Sequence, residues 1–214
     1  MKRVSQPFVV LAAGASSRMG RPKPLLELGG RTLLAHALWA AHEGGAEPLL
    51  VVARDPEELR SRAGRLPATE WVASPESAQG QSHSLLVGLA AALRHRPEAV
   101  LVGLADQVGL RPEAVAAVLE AVAQGGSPAW TVAYGGDRSA PGHPVALGPA
   151  TWPLVDRLRG DRGAGPILAE LGEELRWVDL PSSWRPVDCD TEEDYQALVA
   201  ADLAGLRTPS GNAG

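Results

Sequence analysis

The sequence of 214 residues predicts an α/β fold: a doubly wound, mostly parallel sheet with a mixed or antiparallel addition in the second half. Short apolar runs alternate with segments of helical period over the first half, and this order favours parallel strands joined by helical crossovers. The first apolar run shows no inside–outside alternation, which is typical of a strand covered on both faces. After residue 126 the pattern changes, so a different strand arrangement is expected there.

Turn and cap residues separate eight elements in the first half. Glycine pairs at 44–45 and 125–126 stop two helices, and Pro97 bounds a third. Asp55 can cap a short helix whose first turn begins with Pro56. In chain order the elements are a strand at 7–12, a helix at 32–42, a strand at 48–53, a helix at 56–62, a strand at 69–73, a helix at 82–96, a strand at 99–105 and a helix at 112–124.

The second half carries two strands joined by a glycine-rich link at 135–137, which are expected to add a mixed or antiparallel edge. The remaining elements follow without an internal repeat. We therefore expect one domain over residues 1–207 and a flexible tail at 208–214. The predicted strands are 129–134, 144–147 and 175–180, and the predicted helices are 149–158, 166–171 and 191–206.

Composition excludes several classes of protein. Twenty Lys and Arg against 25 Asp and Glu give a net charge of -5, and the arginines are scattered, which argues against a nucleic-acid partner. No apolar run approaches the ~20 residues of a membrane span. The single cysteine, Cys189, excludes a disulfide framework and a cysteine-built zinc site. Residues 8–15 resemble a short secretion signal, but a buried first strand is the better interpretation, so the cytoplasm is expected.

The loop after the first strand has the composition of a phosphate-binding site. It covers residues 11–24 and combines small residues, hydroxyls and three cations. Gly14 and Gly20 allow tight turns and close approach of a ligand, and successive small residues can direct amide N–H groups at one anion. Because ligands of such sheets bind outside the carboxyl ends of the strands, we expect a triphosphate site here, with Arg18 and Lys23 as its cations.

The loop departs from the usual phosphate-binding patterns. Lys23 does not directly follow the second glycine, no Ser or Thr follows it, and no Gly-x-Gly-x-x-Gly fingerprint is present. A flexible surface loop with solvated basic residues is the alternative interpretation. The cations that follow a buried strand favour the phosphate site.

The stretch Leu-Ala-Ala-Gly-Ala-Ser-Ser-Arg-Met-Gly-Arg-Pro-Lys, at 11–23, resembles the signature of small nucleotidyltransferases of the molybdenum-cofactor type. These enzymes attach CMP or GMP to molybdopterin and are related to cytidylyltransferases for sugars and isoprenoid precursors. Its Leu-Ala-Ala-Gly start is similar to the cytidylyltransferase branch. The resemblance implies a nucleotidyltransferase-type, Rossmann-like sheet and catalytic roles for Arg18 and Lys23. It implies nucleotide contacts by Leu11, Ala12, Ala13, Gly14, Ser16 and Lys23.

Two acidic segments are candidates for a divalent metal, which prefers carboxylate oxygen. Asp106 ends the fourth predicted strand and should face the crevice of the glycine loop; the family has an Asp here, but its usual Pro two residues later is missing. The segment 188–194 resembles the family's Asp-x-Asp-Thr-Pro-Glu-Asp, with Glu192 in place of Pro. The resemblance implies that Asp106 and Asp190 hold Mg²⁺, with Asp188 near enough to share it.

Helix capping is the alternative for both acidic segments. Asp106 could form a cap before Pro112, although it lies early in the chain for that role. Asp190 or Thr191 could cap the closing helix, and acids in the first turn suit the helix dipole. Both interpretations can hold for different residues, and residues 192–194 are assigned to the helix start.

A glycine-containing turn leads into the third predicted helix, whose first turn offers hydroxyls. The resemblance implies that Gly80 and Ser84 hold the base and ribose, and that Asp106 also belongs to the nucleotide site. Ser82 is a possible further contact, but helix capping is the preferred interpretation for this residue. His83 is expected to be exposed, because a phosphate nucleophile is already ionised and needs no base.

The segments Gly-His-Pro-Val and Gly-Asp-Arg-Gly-Ala resemble the molybdopterin branch. They imply that His143 and Asp161 bind the acceptor. For His143, a strand-entry histidine fixed by turn geometry is an equally good interpretation. Gly165 stands where the family segment continues with Arg, and Arg162 could substitute for it.

The resemblance implies an Mg²⁺-dependent enzyme that transfers CMP from CTP to molybdopterin and releases pyrophosphate, with a molybdoenzyme as recipient of the product. The alternatives are a guanylyltransferase of the same pathway that uses GTP, a cytidylyltransferase for another phosphorylated acceptor such as a sugar phosphate, and a non-catalytic module that delivers the cofactor. The Gly-His-Pro-Val segment disfavours the sugar phosphate. Lys23 and the two carboxylates disfavour the delivery module.

Overall fold

The computed structural model describes residues 6–14, 20–77 and 80–203, and the predicted tail at 208–214 lies outside them. The strands are β1 (Phe8–Leu11), β2 (Glu27–Leu28), β3 (Arg31–Thr32), β4 (Leu49–Ala53), β5 (Thr69–Ala73), β6 (Val100–Leu104), β7 (Gln107–Val108), β8 (Ala129–Tyr134), β9 (Gly142–Leu147), β10 (Leu175–Leu180) and β11 (Val187–Asp188). The helices are α1 (Leu33–Glu43), α2 (Pro56–Arg62), α3 (Gln81–Ala92), α4 (Pro112–Gln124), α5 (Trp152–Val155), α6 (Gly165–Leu171) and α7 (Glu192–Leu203).

The central sheet has seven strands in the order β10–β8–β9–β6–β1–β4–β5. Strands β6, β1, β4 and β5 pair in parallel, as do β10 and β8, whereas β9 is antiparallel to both of its neighbours. This confirms the predicted mostly parallel sheet with an antiparallel addition. The predicted edge position of that addition is wrong, because β9 lies inside the sheet and β10 forms the edge. Residues 144–147 are all buried, which an interior strand explains.

Helices cover both faces of the sheet, as the doubly wound prediction requires. Phe8 and Val10 pack against α1, α2 and α4 on one face. Val9 and Leu11 pack against α3, α5 and α6 on the other. Helix α3 lies very close to the strands, since a Cβ on Gly88 would stand 2.6 Å from Val9 Cγ1. This contact fixes the first turn of α3 above the carboxyl ends of the parallel strands.

Most predicted elements are present, with two kinds of difference. The helix predicted at 149–158 is a 3-10 turn, Pro149–Thr151, followed by the single turn of α5, because prolines interrupt this stretch. Two pairs of two-residue strands, β2–β3 and β7–β11, had no prediction, since such short strands carry no periodic pattern. No helix among the described residues is long and apolar enough to cross a membrane.

Candidate active site

One lysine and two carboxylates meet at the carboxyl edge of the sheet. Lys23 Nζ lies 2.7 Å from Asp190 Oδ1 and 3.4 Å from Asp106 Oδ2. The Lys23 side chain is only 13% exposed, whereas that of Asp190 is 54% exposed. The sequence prediction that these three residues lie close together is therefore confirmed by the distances, although they are up to 167 positions apart.

A short strand pair brings the two acidic segments together. Strand β7, directly after Asp106, pairs antiparallel with β11, so that Val108 faces Val187 and Gln107 faces Asp188. The amide of Cys189 donates to the Asp106 carbonyl at 3.1 Å. Residue 108, where the family pattern has Pro, thus supplies a strand residue here, and the turn that presents Asp106 is intact.

The segments that carry Lys23, Asp106 and Asp190 share a small apolar cluster. Its buried members come from the segment after Lys23, from β7 and from β11 through α7, so three distant parts of the chain share one core. Burial of Cys189 in this cluster gives the cysteine a packing role. The buried residues are Leu26, Leu28, Leu33, Val108 and Cys189, with Tyr195, Leu198 and Val199 packed against them.

The hydrogen bonds at the start of α7 show that Thr191 and Asp194 cap this helix, whereas Asp190 does not. Thr191 Oγ1 accepts from the Asp194 amide at 3.1 Å, and the Asp194 carboxylate accepts from the Thr191 amide at 2.8 Å. This reciprocal pair is a capping box. The assignment of Asp194 to the helix start is confirmed, and the Asp190 carboxylate faces Lys23 rather than the helix.

Burial and charge act against each other at this centre. Burial disfavours the ammonium of Lys23, but the hydrogen bond to Asp190 and the charges of both carboxylates outweigh it and raise the pKa of Lys23. Partial burial raises the pKa of the Asp106 carboxyl, although the charge of Lys23 opposes this effect. The carboxylate of Asp106 therefore gains from any further cation placed beside it.

The donor set fits a hard divalent cation. One oxygen of Asp106 and one of Asp190 lie within 3.4 Å of the Lys23 ammonium, so the two carboxylates are close enough together to share one cation. No group of three or more His, Cys, Asp or Glu able to hold a metal occurs in the described part of the chain. Mg²⁺ commonly takes one or two carboxylates and completes its shell with substrate phosphates and water, so a pair of carboxylates suits it.

The glycine loop begins at the end of β1. Leu11 is buried in the core, and the Ala12 amide is used in the sheet, where it donates to the Val52 carbonyl at 2.9 Å. The amides of Ala13 and Gly14 donate to no backbone carbonyl among the described residues. No described atom lies within 4 Å of a Cβ placed on Gly14. Two predicted contacts, Ser16 and Arg18, lie outside the described residues.

The predicted nucleotide turn packs directly on the predicted acceptor segment. Gly80 caps α3 with a φ of +110°, and the Ser82 amide donates to the Gly160 carbonyl at 3.1 Å. The proposal that Ser82 caps the helix is wrong, because Ser82 lies inside α3 and the cap position is Gly80. Ser84 is buried in the same first turn. The backbone of Asp161 adjoins Gly80, so both segments border one space.

Replacing Gly80 with Ala should destabilise the fold by about 2–4 kcal/mol. A Cβ would stand 2.3 Å from the Gly160 carbonyl carbon, and a φ of +110° strains any residue with a side chain. Denaturant unfolding of purified protein measures the change. Gly136→Ala is the control: its φ is +77°, but no described atom lies within 4 Å of its Cβ position. Equal losses in the two variants would contradict the importance of the Gly160 contact.

The acceptor candidate His143 lies at the start of β9 and therefore at the same edge of the sheet as Asp106. Desolvation lowers the pKa of His143 to about 4, although the charge of Asp188 opposes this shift. The imidazole is thus neutral at neutral pH and can donate or accept a hydrogen bond. Asp188 itself accepts from Gln107 Nε2 at 3.0 Å, which places it on the acceptor side instead of at Lys23.

An open cavity of about 580 Å³ borders Gly160. Its arginines have different partners: Arg157 pairs with Glu170 at 2.8 Å, and Arg159 donates to two backbone carbonyls. Arg162 makes no hydrogen bond or ion pair with the residues that the structure describes. The cavity is lined by Leu154, Arg157, Leu158, Arg159, Gly160, Arg162, Pro166, Ile167 and Glu170.

Sequence reasoning missed a second ion pair near Lys23. Arg21 NH2 lies 2.9 Å from both carboxylate oxygens of Glu192, a residue that the sequence assigned to the helix start. The signal in the sequence was a basic residue two positions before Lys23 and an acidic residue two positions after Asp190. Sequence alone gives no distance between positions 171 residues apart.

This sheet, with a glycine loop, a lysine and two carboxylates at its carboxyl edge, defines a nucleotidyltransferase-type domain. The chain belongs to the MobA-like NTP transferase domain family, whose model matches residues 8–175. Lys23 and Asp106 fall inside the matched span. Asp190 and α7 lie beyond it, and Asp190 joins the site through its contact with Lys23.

Two solved structures are similar over nearly the whole chain. The homologue of Mycobacterium tuberculosis Rv0371c from Mycobacterium sp. strain JC1 has a TM-score of 0.77 and 28% identity, covering 94% of this chain and 98% of that chain. Rv0371c from Mycobacterium tuberculosis H37Rv, in complex with manganese, has a TM-score of 0.74 and 26% identity, covering 92% of this chain and 99% of that chain.

Curated relatives match over shorter stretches. The bifunctional protein GlmU of Rhodococcus opacus is 43% identical over 97 residues, which is 41% of this chain and 19% of GlmU. A probable molybdenum cofactor guanylyltransferase of Opitutus terrae is 38% identical over 85 residues, 40% of this chain and 42% of that protein. The matches thus span about a fifth of the first relative and less than half of the second.

Proposed function

We propose that this protein transfers CMP from CTP to molybdopterin and releases pyrophosphate, with Mg²⁺ as its metal. The observation that carries the proposal is the position of Lys23 Nζ between the carboxylates of Asp106 and Asp190. A lysine between two carboxylates, at the sheet edge where the glycine loop begins, suits a reaction in which negative charge on phosphate must be neutralised and redistributed.

Each group has a defined part in the transfer. A phosphate oxygen of the acceptor attacks the α-phosphorus of the nucleotide, a new P–O bond forms, and the bond to the bridging oxygen breaks, so that pyrophosphate leaves with the electron pair. The attacking phosphate is already ionised, so no side chain has to remove a proton. Lys23 balances negative charge on the triphosphate, and Asp106 and Asp190 would hold Mg²⁺, which neutralises phosphate charge when bound.

The nucleotide would lie between the glycine loop and the start of α3. The amides of Ala13 and Gly14 are available to phosphate oxygens, and Gly80 borders the space where a base could enter. The Leu-Ala-Ala-Gly sequence supports CTP. The partial likeness to a probable molybdenum cofactor guanylyltransferase supports GTP as the second candidate.

The acceptor would lie on the β9 side of the centre. We assign His143 at the start of β9, Asp161 beside Gly80 and the cavity at Gly160 to this acceptor region. Arg162 could bind an anionic group of the acceptor, in place of the Arg that the family segment has at position 165. A molybdoenzyme that receives the product remains part of the proposal.

Incubation of the protein with molybdopterin, Mg²⁺ and CTP, GTP or ATP tests this function. We expect pyrophosphate release and a cytidine-linked product with CTP only, measured by a coupled pyrophosphate assay and mass spectrometry. Reactions without the pterin, and reactions with a sugar phosphate in its place, are the controls. Product with GTP alone would assign the second candidate, and no release with any nucleotide would contradict both.

A further inference from the structure

A second bridge joins the glycine loop to α7 beside the reaction centre. Arg21 NH2 lies 2.9 Å from both oxygens of the Glu192 carboxylate. The Arg21 guanidinium also lies over the Tyr195 ring, 4.9 Å from its centroid. Gln196 donates to Glu192 Oε1 at 2.8 Å. Glu192 is therefore fixed both within its own helix and from the opposite segment.

The two bridges join the same two segments. Arg21 lies two residues before Lys23, and Glu192 lies two residues after Asp190. The Arg21–Glu192 and Lys23–Asp190 contacts therefore connect neighbouring positions along both segments. Proline, which the family segment carries at position 192, has no acceptor for an arginine, so this bridge needs the glutamate present here.

In the proposed reaction the Lys23–Asp190 contact is exchanged, whereas the Arg21–Glu192 contact can persist. The Lys23 ammonium is 2.7 Å from Asp190, yet it must also balance the charge of the incoming triphosphate. When Lys23 contacts phosphate, its ion pair with Asp190 weakens. At that moment the metal needs Asp106 and Asp190 at a constant separation. The Arg21–Glu192 pair takes no part in the exchange and can maintain that separation.

We propose that Arg21 and Glu192 are positioning residues, which keep the segment of Arg21 and Lys23 against α7 while Lys23 exchanges Asp190 for the triphosphate. This inference rests on the proposed function. One guanidinium nitrogen in contact with both oxygens of Glu192, together with the Tyr195 ring, gives the pair a more defined geometry than a single contact would. Because exposed pairs are individually weak, we expect effects of about threefold to fivefold rather than complete loss.

Mn²⁺ binding, followed by electron paramagnetic resonance, tests the role without requiring turnover. In the presence of α,β-methylene-CTP, Arg21→Ala should weaken Mn²⁺ affinity about threefold to fivefold, because Lys23 is then engaged by phosphate. Without nucleotide, Lys23 still holds Asp190, and the change should stay below about twofold. A merely structural role would weaken both affinities alike.

The charge-swapped double variant Arg21→Glu/Glu192→Arg should recover most of the affinity that either single change removes. Arg138→Ala is the matched control, because Arg138 forms a similar exposed pair with both oxygens of Asp179, at 3.1 and 2.9 Å. Wild-type Mn²⁺ affinity in Arg21→Ala, or an equal loss in Arg138→Ala, would overturn this inference alone. Wild-type protein that binds no Mn²⁺ with the analogue would overturn the proposed function as well.

Discussion

Lys23→Ala is expected to lower kcat/KM for nucleotidyl transfer by about 10³-fold, because one group performs two electrostatic tasks. In the proposed reaction its ammonium balances the charge of the triphosphate, and in the structure it lies between the carboxylates of Asp106 and Asp190. Without it, the two acids repel each other and the phosphate charge is not balanced. Steady-state kinetics with saturating Mg²⁺ measure the loss.

Arg176→Ala is the control for the charge removed by Lys23→Ala. Arg176 is exposed on β10, and its side chain forms no hydrogen bond or ion pair with the residues that the structure describes. This variant should retain wild-type kcat/KM. If Lys23→Ala kept activity within about tenfold of wild type, the placement of Lys23 in the reaction centre would be incorrect.

Asp106→Asn is expected to reduce transfer by a similar factor, about 10³-fold, through loss of a metal ligand. The amide has the shape of the carboxylate but lacks its charge. The pKa of Asp106 is raised by partial burial, so the folded state disfavours the ionised carboxyl, and the neutral side chain should not lower the melting temperature. Transfer assays and thermal unfolding of the same preparation separate the two effects.

Asp188→Asn is the matched control for Asp106→Asn. Asp188 lies two residues from Asp190 but accepts from Gln107 at 3.0 Å instead of facing Lys23. Its replacement should keep most of the activity. Asp106→Asn also separates an enzyme from a delivery module. Unchanged delivery of cofactor to a molybdoenzyme by a transfer-dead Asp106→Asn protein would favour the module.

Local patterns predicted the sheet and one side of the site. Apolar runs, proline positions and glycine pairs gave β5, β8, β10, α2 and α4 with the bounds that the structure has. The rule that strand ends share one edge placed Lys23 near Asp106 before any coordinates. The match of the acidic segment to a family pattern added Asp190.

Contacts that depend on tertiary placement could not be predicted. The β7–β11 pair contains two residues on each strand, too few for a periodic signal. The position of β9 inside the sheet depends on which strand it joins after the glycine-rich link, and several arrangements suit the same pattern. The prediction that Ser82 caps α3 was wrong because Gly80 occupies the cap position, with a φ that only glycine tolerates easily.

The strand pair between β7 and β11 has a consequence for synthesis of the protein on the ribosome. A nascent chain that has emerged as far as α6 already contains all central strands except β10, together with Lys23 and Asp106. It does not yet contain Asp190, which follows β11. Release of the final helix from the exit tunnel would therefore complete the reaction centre, so that folding of the sheet and onset of activity are separate events in time.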